Sequence, residues 1–366
     1  MKKILVALCA VALIGLTGCQ KEQVTPENTT TQNSGNGNPS DPPAPSQEVD
    51  RAGLYAPCSK IASISTDGAL SETWNWQDGK LTDVTNAAGQ TKVSFTYRSD
   101  GRVNTMTVNA TDMFSGNVNV TYDGERIEQL ALSGDNSISA QLTNNGNNKV
   151  TKAVLNLDNV DMNTLLGLFQ SAVSQFLGNS NVSDIITGVD SLQGNMTFSW
   201  ADANVSRSII NIGLRLATTI GRVAAILPDT SQYAAAIQQI AASNPNMPLY
   251  IKLTYKDTSN YAYDQMVNPF RHYMGDMVTI EGNVPHFNIS ALSANNVSRE
   301  QRAASAEINV SAVVSFMGSQ MVTPLYNTSQ PMADSETTYS YTYRSDNYPE
   351  TVTRNDGQTK TYTYQQ

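Results

Sequence analysis

Histidine and cysteine are almost missing from this chain: His272, His286, Cys9, Cys19 and Cys58 are all there are in 366 residues. That scarcity excludes much chemistry. There is no HExxH, no CxxC pair, no Gly-x-Ser-x-Gly and no glycine loop able to cradle phosphate. The two histidines lie in separate loop-like stretches, "NPFRHYMGD" and "NVPHFNIS". A shared metal site would need Asp264 or Asp276 as a further ligand; two unrelated loop histidines is the simpler reading, and no metal or other cofactor is expected. The 32 acidic residues follow no motif, and glycosidase carboxylates are defined by separation in space rather than in sequence. None is singled out as catalytic, and the chain reads as a non-enzyme.

Positive charge is scarce as well. The formal charge is −9, and removing residues 1–18, with two lysines and no acid, makes it −11. Nucleic acids and anionic bilayer surfaces reward a basic face, so neither is an expected partner. Long hydrophobic runs are limited to Ile4–Leu16, too short to span a bilayer and preceded by Lys2 and Lys3. This is a signal peptide, and it ends in Leu16-Thr17-Gly18-Cys19, the pattern of a bacterial lipobox. Cleavage after residue 18 leaves Cys19 to carry lipid, so a membrane anchor is the expected partner. With Cys9 removed and Cys19 acylated, Cys58 is the one free thiol and no intramolecular disulfide can form.

Residues 19–54 contain "TPENTTTQNSGNGNPSDPPAPSQ", too poor in large apolar side chains to fold. A flexible linker of that composition holds a domain roughly 30 Å off the membrane. Residues 55–366 are then read as a single β-rich domain.

What that domain has in abundance is a repeated pattern. Trp74-Asn75-Trp76 runs into Gln77-Asp78-Gly79, and Phe95-Thr96-Tyr97 into Arg98-Ser99-Asp100-Gly101. Val120-Thr121-Tyr122 precedes Asp123-Gly124, and Phe198-Ser199-Trp200 precedes Ala201-Asp202. Tyr341-Thr342-Tyr343 precedes Arg344-Ser345-Asp346, and an aliphatic residue restarts most units. Aromatics at i and i+2 share one face of a strand. Asp-Gly supplies the positive φ angles of a tight hairpin. "GQTKVSFTY" at 89–97 returns as "GQTKTYTY" at 357–364, so the two ends of the domain carry similar hairpins. Asn347 stands where the first copy has Gly101, and Ala203 where another has Gly79; different turn geometry is expected at both.

These residues resemble the YD-type repeats of Rhs proteins. More closely, the Cys58 strand start, "WADANV", "VNPF" (267–270), "LSANNV" (292–297) and the final "YTYRSDNYP" resemble Bacteroidetes lipoproteins carrying a domain of unknown function built from such hairpins. Lys21-Glu22 resembles the surface-export signal of that group. The resemblance implies a fold and an outer-membrane, lipid-anchored location, with the leaflet open, and no activity.

Two stretches have helical period. Leu165, Leu168, Phe169, Val173, Phe176 and Leu177 form one stripe in 161–179, and 228–243 presents Tyr233, Ile237 and Ile240. A helical insert at about 160–243 is expected to cover one face of a large antiparallel sheet that curls toward a half-barrel. Strand alternation nevertheless recurs in "SIINIGLRLAT" (208–218), "LYIKLTY" (249–255) and "SAEINVSAVVSF" (305–316).

Two functional readings lead. One is a non-catalytic binding, adhesion or structural module, with Trp74, Trp76, Tyr97, Tyr341 and Tyr343 as a candidate stacking stripe for a glycan; the plainer alternative makes these rings the packed face of the hairpins. The other is a periplasmic carrier holding an apolar small molecule against Leu165, Phe169 and Phe176. A hydrolase is the third and least favoured.

Overall fold

Alternating residues become strands that pair with their neighbours in the chain. The computed structural model describes residues 51–365 apart from 111–113, 134–136, 159–184, 226–233, 276–277, 282–283, 288 and 317–318. Four short hairpins come first: β1 (Ile61–Thr66) with β2 (Ala69–Gln77), β3 (Lys80–Asn86) with β4 (Thr91–Tyr97), β5 (Val103–Ala110) with β6 (Phe114–Asp123), and β7 (Arg126–Ser133) with β8 (Ser137–Asn144). Strands then lengthen through β9 (Val150–Asp158), β10 (Gly188–Ala201), β11 (Asn204–Thr219) and β12 (Pro248–Val267). A separate two-stranded sheet, β13 (Val278–Glu281) and β14 (Val284–Phe287), interrupts the series. The longest pair, β15 (Asn295–Phe316) and β16 (Ser319–Tyr343), is followed by β17 (Pro349–Arg354) and β18 (Thr359–Tyr364). Because β18 pairs with β1, placing Tyr364 opposite Ile61, sixteen antiparallel strands close into a barrel. The expected large, curled antiparallel sheet is what the chain forms, and the curling that so many strands impose runs past a half-barrel to closure.

One end of the barrel obeys a single rule eight times. Within each hairpin the backbone ladder stops at Ser63, Asp83, Thr105, Gln129, Lys152, Arg207, Arg299 or Thr351. Two residues earlier lies a carbonyl beyond the ladder: Ile61, Leu81, Val103, Ile127, Val150, Val205, Val297 or Pro349. Three residues beyond the partner position, the second strand carries the side chain that reaches it. Trp76, Tyr97, Tyr122, Trp200, Tyr263, Tyr341 and Tyr364 donate to those carbonyls at 2.6–2.9 Å. In the fourth hairpin Asn144 takes the aromatic's place and donates to Ile127 at 3.4 Å. Register slips fall immediately before Trp76, Tyr97, Tyr122, Asn144, Trp200 and Tyr263, and a bulge of this kind re-aims the side chain that follows it. An amphipathic ring thus fills the space where strands diverge, while its polar tip satisfies a carbonyl that would otherwise be orphaned. Cations cover several rings from outside: Lys60 over Trp76, Lys80 over Tyr97, Arg102 over Tyr122, Lys149 over Trp200 and Arg344 over Tyr364.

Tyr97→Phe isolates the polar part of this device. It keeps the ring and strands the Leu81 carbonyl, so urea unfolding should show a loss of about 1–3 kcal/mol. A loss below about 0.3 kcal/mol would mean that water replaces the hydroxyl without cost.

The tight turns at this end follow the expected chemistry, with one correction. Asn347 has φ +65° against +87° at Gly101, and both turns close with the same backbone bonds, so the two "TYRSD" turns share one geometry. Asparagine tolerates the left-handed region, which is why the substitution is accommodated. At the other site Asp202 matches Asp78 (both φ +49°), but Ala203 lacks the positive φ of Gly79. Residues 51–58 strap the same end. Gly53, at φ +72°, accepts a hydrogen bond from the Val103 N–H and lies so close to the Tyr122 hydroxyl that a Cβ would collide with it.

Between β12 and β15 the pattern changes: in place of a tight turn lie residues 268–294, of which Phe270, Tyr273, Met274, Ile289 and Leu292 pack in or against the core. Asn268 donates to the Ser290 and Ser293 carbonyls, and Asn296 to Val267, fastening the base of this insert. Tyr273 and Phe270 pack on Trp74, with Tyr55 completing the aromatic group.

The opposite end is formed by the long strands. β11 buries Ile210, Ile212, Leu214 and Leu216; β12 buries Leu249, Ile251 and Leu253; β15 buries Ala304, Ala306, Ile308 and Val310. Ile220 and Val223 of α1 (Ile220–Ala224) and Ala234 and Ile237 of α2 (Ala234–Ser243) join this same core. Residues 188–219, inside the expected helical insert, are strands β10 and β11, and the stripe expected at 161–179 lies outside the described residues. Facing outward between the buried positions are Arg207, Asn211, Arg215, Lys252, Thr254 and Lys256. Polar side chains thus predominate between the buried positions of these two strands, where a lipid-spanning barrel carries an apolar band.

Candidate functional site

Threonine, serine and asparagine crowd the outer face of this barrel, and several of them spend their hydrogen bonds on each other. Ser63 bonds Thr363, Thr105 bonds Asn119, Thr107 bonds Asn117, Thr342 bonds Thr351 and Thr353 bonds Thr359, each pair across adjacent strands. On β12, β15 and β16 this mutual satisfaction breaks down. The register of β15 against β16 slips between Ala304 and Ser305. Beyond the slip Asp334, Ser335 and Glu336 pair in regular register with Ala303, Arg302 and Gln301, yet all three are exposed. Among the described residues β17 pairs with β16 only over Tyr339–Tyr343, so this stretch is also a sheet edge, blunted by Pro331 and by its carboxylates.

The result is a polar groove of about 210 Å³, walled by Thr258, Asn260, Gln301, Asp334, Ser335 and Glu336. Arg302 forms part of its floor, and its side chain is only 7% exposed. Its guanidinium is held by Asp257, with Nη2–Oδ2 at 2.6 Å and Nε–Oδ2 at 3.0 Å, and Tyr255 donates to the same carboxylate at 3.0 Å. Arg299 and Gln301 both donate to Glu336 Oε2, at 2.7 and 2.9 Å. The Arg299 hydrogen bond, followed by that of Gln301, holds the Glu336 carboxyl below the usual range. The side chains of Thr258, Asn260, Asp334 and Ser335 make no hydrogen bond among the described residues. Chemically the groove sets four uncommitted polar side chains beside the engaged Gln301 and Glu336 on paired strands, with acid in excess.

The residues singled out from sequence lie elsewhere. Trp74 is 3% exposed and packs inside the ring. Trp76, Tyr97 and Tyr341 are half-buried against the core, and Tyr343, also half-buried, stacks on Tyr341. Trp76, Tyr97 and Tyr341 serve carbonyls as described, and Tyr343 donates to Asp264. Burial holds the hydroxyls of Tyr97, Tyr122, Tyr263, Tyr341 and Tyr364 protonated well above the usual phenol value. Leu165, Phe169, Phe176 and Cys19 lie outside the described residues. Of the histidines, His272 is buried and left-handed (φ +66°), and His286 sits on β14 opposite Thr279. Asp264 is engaged by the Met266 and Asn296 N–H groups as well as by Tyr343, and Asp276 lies outside the described residues. No cluster of three or more His, Cys, Asp or Glu able to hold a metal ion occurs among the described residues.

No protein-family model and no curated protein matches this chain. The groove therefore stands on its geometry alone. Its residues carry no local signature, because three strands distant in sequence must come into register before they share a wall. The one hint was "ADSETT" at 333–338, a charged polar run inside a strand.

Proposed function

We propose that this chain is a non-catalytic, lipid-anchored cell-envelope protein that works as a binding module, akin to the Bacteroidetes hairpin-repeat lipoproteins its sequence resembles. The observation that carries the reading is the direction of the barrel. Residues 51–58 strap the aromatic-ring end, where β1 starts and β18 finishes, and Gln365 N–H bonds the Lys60 carbonyl there at 2.8 Å. A tether entering at residue 51 therefore holds the ring end toward the membrane and turns the long strands, with their polar outer face, away from it. The aromatics that could have stacked on a ligand are consumed in closing the ring, so recognition falls to the outer sheet face.

Cys19→Ala tests the anchor. In a Gram-negative host the natural chain should fractionate with membranes and incorporate labelled palmitate, and the variant should appear in the soluble periplasm without label. A variant that stays membrane-bound would overturn the anchor. A second reading, carriage of an apolar molecule between helices and sheet, draws on the apolar inner face of β11, β12 and β15. Native mass spectrometry of the purified chain should reveal bound lipid if that reading holds.

A further inference from the structure

We propose that the groove on β12, β15 and β16 is a saccharide site that holds one neutral sugar ring of a glycan. This rests on the binding-module reading and gives it a ligand class and a place.

Size sets the first limit. Pockets for drug-sized ligands run to roughly 300–1,000 Å³, and a groove of about 210 Å³ has room for a single ring with the rest of the chain lying along the sheet. Chemistry sets the second. The walls offer no aromatic or large aliphatic side chain, which excludes apolar ligands. Asp334 and the Oε1 atom of Glu336 can only accept hydrogen bonds when ionised, so they call for a ligand rich in O–H donors. Thr258, Ser335 and Asn260 can both give and accept, which suits hydroxyl groups that do the same. A sugar edge with vicinal hydroxyls meets both demands; a phosphate or uronate would face two carboxylates, with Arg302 and Arg299 already engaged by Asp257 and Glu336. Preorganisation is the third point. Four of the polar side chains have no internal partner to give up, and they stand on paired strands, so binding breaks no protein hydrogen bond at Thr258, Asn260, Asp334 or Ser335. Several residues of the same types elsewhere on the outer face, such as Thr107 with Asn117 and Thr342 with Thr351, are tied to one another instead.

The test is ligand-observed saturation-transfer NMR on the mature chain with glucose, galactose, mannose, N-acetylglucosamine and glucuronate, each at millimolar concentration, with and without EDTA. At least one neutral sugar should receive saturation, glucuronate should be weaker, and EDTA should change nothing. Asp334→Ala and Thr258→Val alter exposed or half-exposed positions, so their folding is checked by thermal melts. Each should weaken the neutral sugar at least tenfold, while Lys252→Ala, toward the far end of the same strand, should leave it unchanged. Loss of binding in EDTA would overturn the proposal in favour of a metal site, and preference for glucuronate would overturn its charge argument. A glycan-array hit that survives both groove variants would overturn the site and leave the binding module standing; no binding to sugar or array sinks both.

Discussion

Above pH 10 the protein should unfold in one steep, multi-proton transition. Five ring tyrosines, Tyr97, Tyr122, Tyr263, Tyr341 and Tyr364, have their hydroxyls raised chiefly by burial. In the unfolded chain each gives up its proton near pH 10, while in the fold it keeps it. Above that pH the unfolded state therefore binds fewer protons than the native state, and stability falls as pH rises. Each such group contributes about 1.4 kcal/mol per pH unit once its unfolded form is ionised, so five together remove roughly 7 kcal/mol per unit. Domains of ordinary stability hold only about 5–15 kcal/mol in all. Their contribution is complete below the unfolded value and is lost as pH climbs toward the folded one. Tyrosinate absorbance and far-UV circular dichroism, followed together from pH 7 to 12.5, provide the measurement. Part of the tyrosinate signal should appear only as the sheet signal disappears. Full ionisation near pH 10 with the sheet intact would show that the hydroxyls are not held by the carbonyls.

The ring also explains which parts of the fold could be read in advance. A hairpin is local: two aromatics at i and i+2, an Asp-centred turn and an aliphatic restart lie within ten residues, so Phe95–Val103 and Tyr341–Pro349 announce themselves. Even the aliphatic restart has a meaning that the pattern contained. Leu81 and Val103 follow Lys80 and Arg102, the cation covering a ring and the next carbonyl receiving its tip. What the pattern could not convey is the direction of that reach, backward across the hairpin to a strand start 15–19 residues earlier in the short units and 58 residues earlier for Tyr263. Asn144 occupies a ring position without being aromatic, so the fourth unit was invisible. Closure depends on β1 finding β18 across the whole domain, a pairing with no sequence marker. The groove is further still from local signals, since its chemistry arises where β16 runs along β15 as a sheet edge with Asp334 to Glu336 exposed in succession.

Arg302→Met should be among the most damaging single changes in the barrel. Asp257 and Arg302 are 2% and 7% exposed, joined at 2.6 Å inside the wall between β12 and β15. Glu300, also buried, lies within electrostatic reach of the same guanidinium. Removing the arginine leaves a buried carboxylate with Tyr255 as its remaining donor on the same strand, which costs about 3–5 kcal/mol. The damage should depend on pH in a definite sense. A lone buried carboxyl has its folded pKa raised above the unfolded value of about 3.9. The variant is then favoured by protonation, and its deficit relative to the natural chain should shrink as pH falls from 7.5 toward 5. Replacing both partners, Asp257→Leu with Arg302→Met, removes the stranded Asp257 charge while Glu300 still loses its nearby cation, and because a buried pair recovers little more than its desolvation cost, the double variant should regain part of the lost stability. Urea unfolding of the two variants at pH 7.5 and pH 5 measures all of this. A deficit under about 1 kcal/mol at pH 7.5, or a double variant as unstable as the single, would mean that water reaches the pair and that the barrel wall is open at this point.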